Sequence, residues 1–540
     1  MTNLNRQIIS SAYIGRATLI IAVFSVLAKI LGLARDAVFS NRFGTSVVID
    51  AYFAAFRIPD FVFNLLILGT FSVAFIPVFS EYLIKNKEEA DKLASTILNF
   101  VLALMAVLSF LALVFIDPLI SIIAPGFEAE RRELTKLFTQ IFLLSPIFLA
   151  LSSVLSSILN AHKRFTIVAI APVIYNLSII LGALVLYPKI GNFGLALGVV
   201  LGAILHFAIQ IPSVVTIGFK YRPIFNTASP GFRKFFILYW PRIFSMGVGQ
   251  VTLLIATFFG SFLGAGSLSA FYYANNLQSV FLSIFAISVS VAVFPLLSDL
   301  FNEKDEDGFK SVIAKTSSQI LYFLIPLSVL MLIMRAQIVR LILGIGQNTN
   351  FTFEDTRLVS LTLGLFVISL FAQGLIPLFN RAFYARQNTV VPVVIGFITV
   401  IVNVVATYYL IRRFGIPGMA MAFSLTSIIN LVLLLAELHH KIGNLHDDYL
   451  IISTLKILIA SVIAGAACFL ALYVIAPAVN MTTYLGVLIQ AVGAGLVGGG
   501  VFLIFSWMLG VNETHNLVAV LRNVGSKSAR VFMMISNLWS

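Results

Sequence analysis

Charged residues interrupt the apolar stretches near the amino terminus of the 540-residue chain. In the first stretch, Lys29 and Asp36 are seven positions apart, so on a helix they lie about two turns apart on one face. Arg35 is adjacent to Asp36 and points about 100° away. A charge at the bilayer centre costs roughly 2.5–3.5 kcal/mol, so such residues usually face a wet cavity. We interpret this group as a cavity wall, with the alternative that Arg35 and Asp36 only mark the outer helix end.

The second apolar stretch carries three more charges, which lie roughly on one helical stripe: Asp50, Arg57 and Asp60. Pro59 is expected to break the helix between Arg57 and Asp60 and to free backbone carbonyls that need a partner. An internal pair between Arg57 and an aspartate could simply hold the first two helices together. Such a pair would also preorganise the arginine for a ligand, so both interpretations stay open.

Two further cations lie inside later apolar stretches. Arg242 follows Pro241 about eight residues beyond the Arg233–Lys234 boundary, which is roughly 12 Å into the helix. Lys456 lies only a few residues into its helix, from where it can snorkel to the interface. Arginine binds phosphate bidentately and keeps its proton at physiological pH. The buried cations therefore favour an anionic ligand, for which a lipid diphosphate headgroup is the obvious candidate.

The motifs of common enzymes do not occur in the sequence. We find no nucleotide-binding loop, nucleophile motif or metal-ligand spacing, and the six histidines and Cys468 suggest neither a metal site nor a disulfide. We therefore expect a transporter rather than an enzyme, without catalytic residues and without a metal or another cofactor. A coupling ion is left open.

Composition places these charges in a membrane protein. Hydrophobic residues make up 60% and charged residues 11% of the chain, whereas a soluble chain carries about 25% charged residues. A spanning helix needs about 20 apolar residues. The pattern predicts an all-α membrane protein with fourteen transmembrane helices, centred near residues 25, 60, 104, 147, 176, 206, 248, 285, 326, 370, 400, 427, 463 and 496.

The basic residues indicate the orientation of the chain. The net charge is +13, but lysine and arginine cluster in short loops, which is typical of membrane topology and not of nucleic-acid binding. With both termini in the cytoplasm, about 20 basic residues lie on the inner side and about 10 on the outer side, as the positive-inside rule favours.

An internal repeat with an offset near 220 residues organises the first twelve helices. The segment 74–80 returns as 292–298, and the turn 160–165 returns as 382–387. Six helices per repeat give both repeats the same topology, a known transporter plan. The prediction is two parallel six-helix lobes followed by two extra helices and a cytoplasmic tail, with the boundaries 1–220, 221–445 and 446–540.

Several motifs carry a resemblance to a known family. They are Leu31–Ala37, Asp50–Pro59, Ala74–Pro77, Ala124–Phe127, Ala171–Pro172 with Asn176, and Phe383–Gln387. As a set, they resemble the MurJ (MviN) family of lipid II flippases, within the superfamily of multidrug and polysaccharide exporters. The resemblance implies fourteen helices, alternating access around a cationic cavity, and a groove at helices 13 and 14 for the polyprenyl tail.

The resemblance also implies a substrate, a location and site residues. The substrate would be lipid II, the undecaprenyl-diphosphate-linked peptidoglycan precursor, moved from the inner to the outer leaflet of the bacterial cytoplasmic membrane for cell-wall synthesis. Lys29, Arg35, Asp36 and Asp50 match functionally important positions of the family. We expect membrane lipids as further partners, no nucleic acid, and a monomer.

The sequence departs from the family in two places that usually carry positive charge. Where the family commonly has paired arginines and then Glu-Gly, this chain has Phe63-Asn64 and then Leu68-Gly69. Where the family has a cavity arginine in helix 8, this chain has Asn276. We hypothesise that Arg57 and Arg242 partly restore the charge. The predicted substrate-binding residues are therefore Lys29, Arg35, Asp36, Asp50, Arg57, Asp60, Arg242 and Asn276.

Three other functions were weighed. A flippase for another polyprenyl-diphosphate glycan would have much the same cavity, so only a substrate assay separates it. A cation-coupled drug exporter should favour acidic cavity residues and usually stops at twelve helices, so the sequence disfavours it. A non-transporting scaffold would tolerate the joint neutralisation of Lys29, Arg35 and Arg57.

Overall fold

The computed structural model describes residues 3–66, 71–245, 247–345 and 349–515. These residues form helices and short connections, and no strand occurs among them. The helices of the first part are α1 (Asn3–Phe43), α2 (Val47–Ala55), α3 (Arg57–Leu66), α4 (Phe71–Lys85), α5 (Lys87–Val114), α6 (Ile116–Ile123), α7 (Ala129–Phe142), α8 (Ser145–Ala161), α9 (Phe165–Leu181), α10 (Tyr187–Ile190), α11 (Asn192–Ala208) and α12 (Ile211–Thr216).

Twelve helices follow in the second part: α13 (Pro230–Ser245), α14 (Gly247–Ser261), α15 (Ser267–Leu282), α16 (Ser288–Asn302), α17 (Glu306–Ile333), α18 (Arg335–Leu343), α19 (Phe353–Val367), α20 (Leu370–Ala385), α21 (Val390–Phe414), α22 (Ile416–Ile442), α23 (Asp447–Ile475) and α24 (Tyr484–Met508). Single turns of π-helix at Gly182–Leu186 and Ser283–Ile287 connect α9 to α10 and α15 to α16.

Ten helical segments of the described chain are long and apolar enough to cross a membrane. The pair α19 and α20, bent by 47°, adds an eleventh if it is one span. The predicted all-helical, multi-pass class is therefore confirmed. The number fourteen stays a prediction, because the segments centred near residues 60 and 248 include positions outside the described set.

The second predicted helix breaks at a different place from the one expected. We placed the break between Arg57 and Asp60, but α2 ends at Ala55 and α3 continues from Arg57 through Pro59. This location was wrong for a physical reason. Proline is tolerated in the first turn of a helix, and its steric conflict falls on the residues before it. The break therefore precedes Arg57.

The described chain divides into two compact units that interleave in sequence. The first comprises 1–273, 342–358 and 400–419, and the second comprises 274–341, 359–399 and 420–540. These units are defined by which residues lie close together in this structure, whereas the predicted lobes are defined by the sequence repeat. The two divisions therefore need not coincide. The lobe boundaries therefore stay a prediction.

Each unit has its own apolar core. In the first unit, α4 and α13 bring together a cluster of aromatic rings, in which Phe71 stacks on Phe75 and meets Phe235 edge-on. In the same unit, Gly182 and Gly198 let two helices touch, because a Cβ on Gly182 would lie 2.6 Å from the Gly198 Cα atom. In the second unit, α23 packs on both α17 and α24. A largely apolar cavity of about 470 Å³ lies there between α17, α20 and α23.

The connection between α12 and α13 lies along one face of α5. Side chains at positions 87, 91, 95 and 99, each four residues apart, contact its backbone. The four contacts are Lys87 Nζ to the Ile217 carbonyl (3.3 Å), Lys220 N–H to Asp91 (3.3 Å), Arg222 N–H to Ser95 (3.0 Å) and Asn99 Nδ2 to the Ile224 carbonyl (2.9 Å). We call residues 217–224 the connecting strap.

Candidate functional site

The charges of α1 lie on the first unit, where α1 packs against α9. Arg35 donates from Nε and Nη2 to Asp36 Oδ1 at 3.1 and 2.8 Å. The long guanidinium side chain thus reaches its neighbour despite the 100° offset between the two positions. Asp36 is 2% exposed, Arg35 is 22% exposed, and Lys29 is exposed. Arg35 is therefore held by a carboxylate while part of its surface stays open to a ligand.

Arg57 is buried where α2 meets α3, and its guanidinium has three partners. Its Nε donates to the Phe53 carbonyl at 3.1 Å, in the last turn of α2. Its Nη2 lies 3.7 Å from Asp60 Oδ2, and its guanidinium carbon lies 4.8 Å from the centre of the Tyr272 ring. Arg57 is therefore paired with an aspartate, but both residues lie on α3, so this pair does not hold two helices together. A cavity role for Arg57 stays a prediction.

The charges of α1 and α3 share one electrostatic environment. Arg35 and Arg57 both interact electrostatically with Asp60, which is 40% exposed. Lys29 also interacts with Arg35, and Arg35 and Asp60 both act on Tyr175 of α9. Three cations and two carboxylates, counting Asp36, thus form a group with a positive balance. We call Lys29, Arg35, Asp36, Arg57 and Asp60 the charged group.

Asp50 lies apart from this group and is fully buried. Its Oδ2 accepts a hydrogen bond from Gly266 N–H at 2.8 Å, and its Oδ1 accepts one from Ser269 N–H at 2.7 Å. These donors belong to the amino-terminal end of α15, whose first N–H groups have no partner within the helix. Asp50 therefore caps a helix more than 200 residues away in sequence.

Arg131 completes this arrangement, and sequence reasoning missed it. We counted Arg131 only as a basic residue of an outer loop, but it is 4% exposed. Its Nη1 donates to the Leu263 carbonyl at 3.1 Å and lies 3.7 Å from Asp50 Oδ2. No signal in a single sequence separates Arg131 from its neighbour Arg132, which is exposed. We call Asp50, Arg131, Leu263, Gly266 and Ser269 the outer latch, because the predicted orientation puts them on the outer side.

The turn between α14 and α15 is tightly enclosed at the outer latch. A Cβ on Gly266, which has φ +85°, would lie 2.7 Å from the Thr45 carbonyl oxygen. On another side of the turn, Gly126 N–H donates to Ser261 Oγ at 3.0 Å, and a Cβ on Gly126 would lie 2.7 Å from Phe262 backbone atoms. Small residues therefore allow the close approach.

The structure describes the surroundings of the remaining predicted site residues only in part. Arg242 lies in α13, but its side chain is outside the described residues. Asn276 lies in α15, is half-buried, and belongs to the second unit. Asn64, at one of the positions that lack the family's arginines, donates to Gln250 Oε1 at 3.3 Å. The predicted roles of Arg242 and Asn276 stay predictions.

Comparison with known proteins identifies the family. The family model described as lipid II flippase MurJ matches residues 39–489. The chain is 29% identical to a probable lipid II flippase MurJ of Vibrio cholerae, over 78% of this chain and 82% of the relative. It is 26% identical to the lipid II flippase MurJ of Burkholderia cenocepacia, over 79% and 84%.

Solved structures agree with this family. A lipid II flippase MurJ in an inward closed conformation aligns with a TM-score of 0.75 and 28% identity, over 91% of this chain and 98% of that one. An inward-facing multidrug transporter of the MATE family aligns with a TM-score of 0.66 and 13% identity, over 79% and 99%, and shares the fold. Since the family model covers most of the chain, the protein belongs to the MurJ family of lipid II flippases.

Proposed function

We propose that this protein moves lipid II from the inner to the outer leaflet of a bacterial cytoplasmic membrane by alternating access. The observation that carries the proposal is the charged group on α1 and α3. Lys29 is exposed, and Arg35 is preorganised by Asp36. A guanidinium held in this way can donate several hydrogen bonds to a diphosphate. Membership of the family supports the choice of lipid II.

The proposed cycle has two parts. The outer latch keeps the outer side closed while the diphosphate enters from the inner side and meets Lys29 and Arg35. The latch then releases, and the headgroup leaves on the outer side. A groove at α23 and α24 is proposed to hold the polyprenyl tail, because these two helices lie outside the sequence repeat. Membrane potential or an ion gradient biases the cycle.

The missing family arginines favour one alternative. Phe63-Asn64 and Asn276 leave the headgroup site less cationic than in familiar members, which favours a related headgroup as the second candidate. A flippase for another polyprenyl-diphosphate glycan would use the same charged group. The two proposals therefore differ in substrate and not in mechanism. We propose that the protein acts as a monomer.

The test is rescue of bacteria depleted of their own lipid II flippase, with leaflet-resolved detection of lipid II. The parent protein should restore growth and outer-leaflet lipid II. Lys29→Gln with Arg35→Gln should abolish both when the variants are compared at matched membrane abundance, because the cations that meet the diphosphate are gone. Arg242→Ala should abolish rescue as well, if Arg242 replaces a family arginine.

Lys456→Gln is the matched control, because Lys456 is a membrane cation that lies 3.5 Å from the Gly510 carbonyl, outside the charged group. This variant should rescue as the parent does. Failure of the parent to move lipid II, together with transport of another polyprenyl-diphosphate glycan, would establish the second candidate. Rescue by the Lys29→Gln, Arg35→Gln variant would disprove the role of the charged group, and normal growth with Arg242→Ala would disprove that of Arg242.

A further inference from the structure

We propose that Arg131 is a positioning residue that allows the outer latch to open, by taking over the Asp50 carboxylate when the turn between α14 and α15 moves away. The inference rests on the proposed function in one respect, namely that the outer side opens during a transport cycle. It gives a role to Arg131 and to the Ala124–Phe127 motif. The family resemblance had assigned no role to either.

The first step of the argument concerns which parts of the latch stay together. Asp50 lies on α2 and Arg131 lies on α7, and these two helices pack against each other. Both lie in the predicted first lobe. Leu263, Gly266 and Ser269 lie in the predicted second lobe. When the predicted lobes part on the outer side, Asp50 and Arg131 therefore remain neighbours.

The second step concerns the charges that opening would leave behind. Asp50 loses the Gly266 and Ser269 N–H donors, and Arg131 loses the Leu263 carbonyl. Both side chains are almost completely buried. A buried charge without a partner is strongly unfavourable, and removing one partner of a buried pair is far worse than removing both. Opening is therefore favoured when each ion keeps a partner while the old partners leave, before water has entered the gap.

The third step is that the new partners are already adjacent. Arg131 Nη1 lies 3.7 Å from Asp50 Oδ2, which is an ion pair but not yet a hydrogen bond. A shift of about 1 Å brings this pair to the usual 2.7–2.9 Å of a charge-assisted hydrogen bond. The same Nη1 atom that serves Leu263 in the closed latch can then serve Asp50 in the open one.

The surroundings of Arg131 hold its guanidinium ready for this exchange. Its guanidinium carbon lies 5.0 Å from the centre of the Phe127 ring, on the motif Ala124–Phe127. Glu128 is the other charge within reach, at 3.9 Å from Nη2, and it is 85% exposed. An exposed carboxylate competes weakly, because water screens it. Asp50 is therefore the preferred partner once Leu263 leaves.

The experiment measures opening directly. A reporter cysteine replaces Ala270, a fully buried residue in the first turn of α15, in a Cys468→Ala parent. Cells are treated with a membrane-impermeant maleimide from the outer side, and the labelling rate is compared at equal protein abundance. Arg131→Gln should lower the rate by at least about tenfold, the equivalent of about 1.4 kcal/mol, because Asp50 then has no partner in the open latch.

The sign of the change separates this role from a structural one. If Arg131 only held the turn closed through Leu263, Arg131→Gln would raise the labelling rate, and the inference would be wrong. Adding Asp50→Asn to Arg131→Gln should return the rate to the parent level or above, because no charge is left unpaired. Arg131→Lys keeps the charge and should label at an intermediate rate. This variant still tests the inference if Arg131→Gln folds poorly.

Arg132→Gln is the matched control, since Arg132 is exposed and bonds to Ser121; it should label as the parent does. Equal labelling of Arg131→Gln and the parent overturns the inference, as does a parent that never labels. A parent that labels in the expected way but moves no lipid II would contradict the proposed function alone.

Discussion

Asp36 and Asp50 are both buried carboxylates on either side of the connection between α1 and α2, but Asp36 has its partner next to it in sequence and Asp50 has its partners far away. Asp36 binds its neighbour Arg35, although helical spacing predicted that the two side chains point about 100° apart. Asp50 binds N–H groups more than 200 residues away. Sequence analysis offered a pair between Arg57 and an aspartate as one interpretation, and Asp60 is that aspartate. It could not predict the helix cap or Arg131, because these depend on packing between distant segments.

At this scale, we predict that Asp36→Asn destabilises the protein. Arg35 then loses its only charged partner at bonding distance among the described contacts, and breaking a buried pair costs about 3–5 kcal/mol. We expect the lower end of this range, since Arg35 keeps some exposure. The measurement is the melting temperature of the detergent-purified protein.

Asp117→Asn provides the comparison for this prediction. Asp117 also pairs with a cation, Lys136, at 2.8 Å, but it is 56% exposed. Exposed pairs contribute about 0–1 kcal/mol, so the melting temperature should change little. Equal losses in the two variants would show that the burial of the Arg35–Asp36 pair has no influence on stability.

Helices in this chain end and bend for reasons that are only partly visible in the sequence. Pro59 correctly predicted a break in the second predicted helix, but the break lies before Arg57. There, Arg57 Nε donates a hydrogen bond to the Phe53 carbonyl. Asn86 is a readable start signal, since its side chain accepts from Glu88 N–H and caps α5. The bend between α19 and α20 follows no proline at the break, and our sequence analysis did not predict it.

Among the turns, we predict that Gly126→Ala loosens the outer latch. The added Cβ would lie 2.7 Å from backbone atoms of Ser261 and Phe262, which cannot rotate away. Overpacking of this kind costs about 1–3 kcal/mol, and it destabilises the closed latch, in which these atoms are in contact. Labelling of the Ala270→Cys reporter from the outer side should therefore accelerate.

Gly264→Ala is the control on the same turn, because no atom lies within 4 Å of its added Cβ. Its labelling rate should match that of the parent. If Gly126→Ala labels no faster than Gly264→Ala, the contact of Gly126 with the α14–α15 turn does not help to close the latch.

For the molecule as a whole, composition predicted the helical membrane class, and the set of motifs predicted the family. Apolar stretches predicted a multi-pass helical protein because a bilayer imposes length and apolarity on every span. The interleaved compact units were not predictable from the repeat, since they depend on which conformation is populated. The side chain of Arg242 lies outside the described residues, so its part in the site stays a hypothesis.

We predict that both termini lie in the cytoplasm. The excess of lysine and arginine in alternate loops favours this orientation. Alkaline phosphatase inserted after Phe127 should be active, because this loop is predicted to lie outside. The same enzyme fused after Lys87 should be inactive, and a fluorescent protein at the carboxyl terminus should fluoresce. Activity after Lys87 would contradict the predicted orientation.

The connecting strap bears on how this chain folds as it is synthesised. Its contacts with α5 join residues separated by about 125–130 positions, so they close a loop that runs from α5 to the end of the first predicted repeat. The stripe on α5 enters the membrane long before the strap leaves the ribosome, and segments that emerge first generally fold first. We therefore expect the strap to dock on α5 before most of the second repeat has been synthesised, which would favour helix pairing within the first repeat.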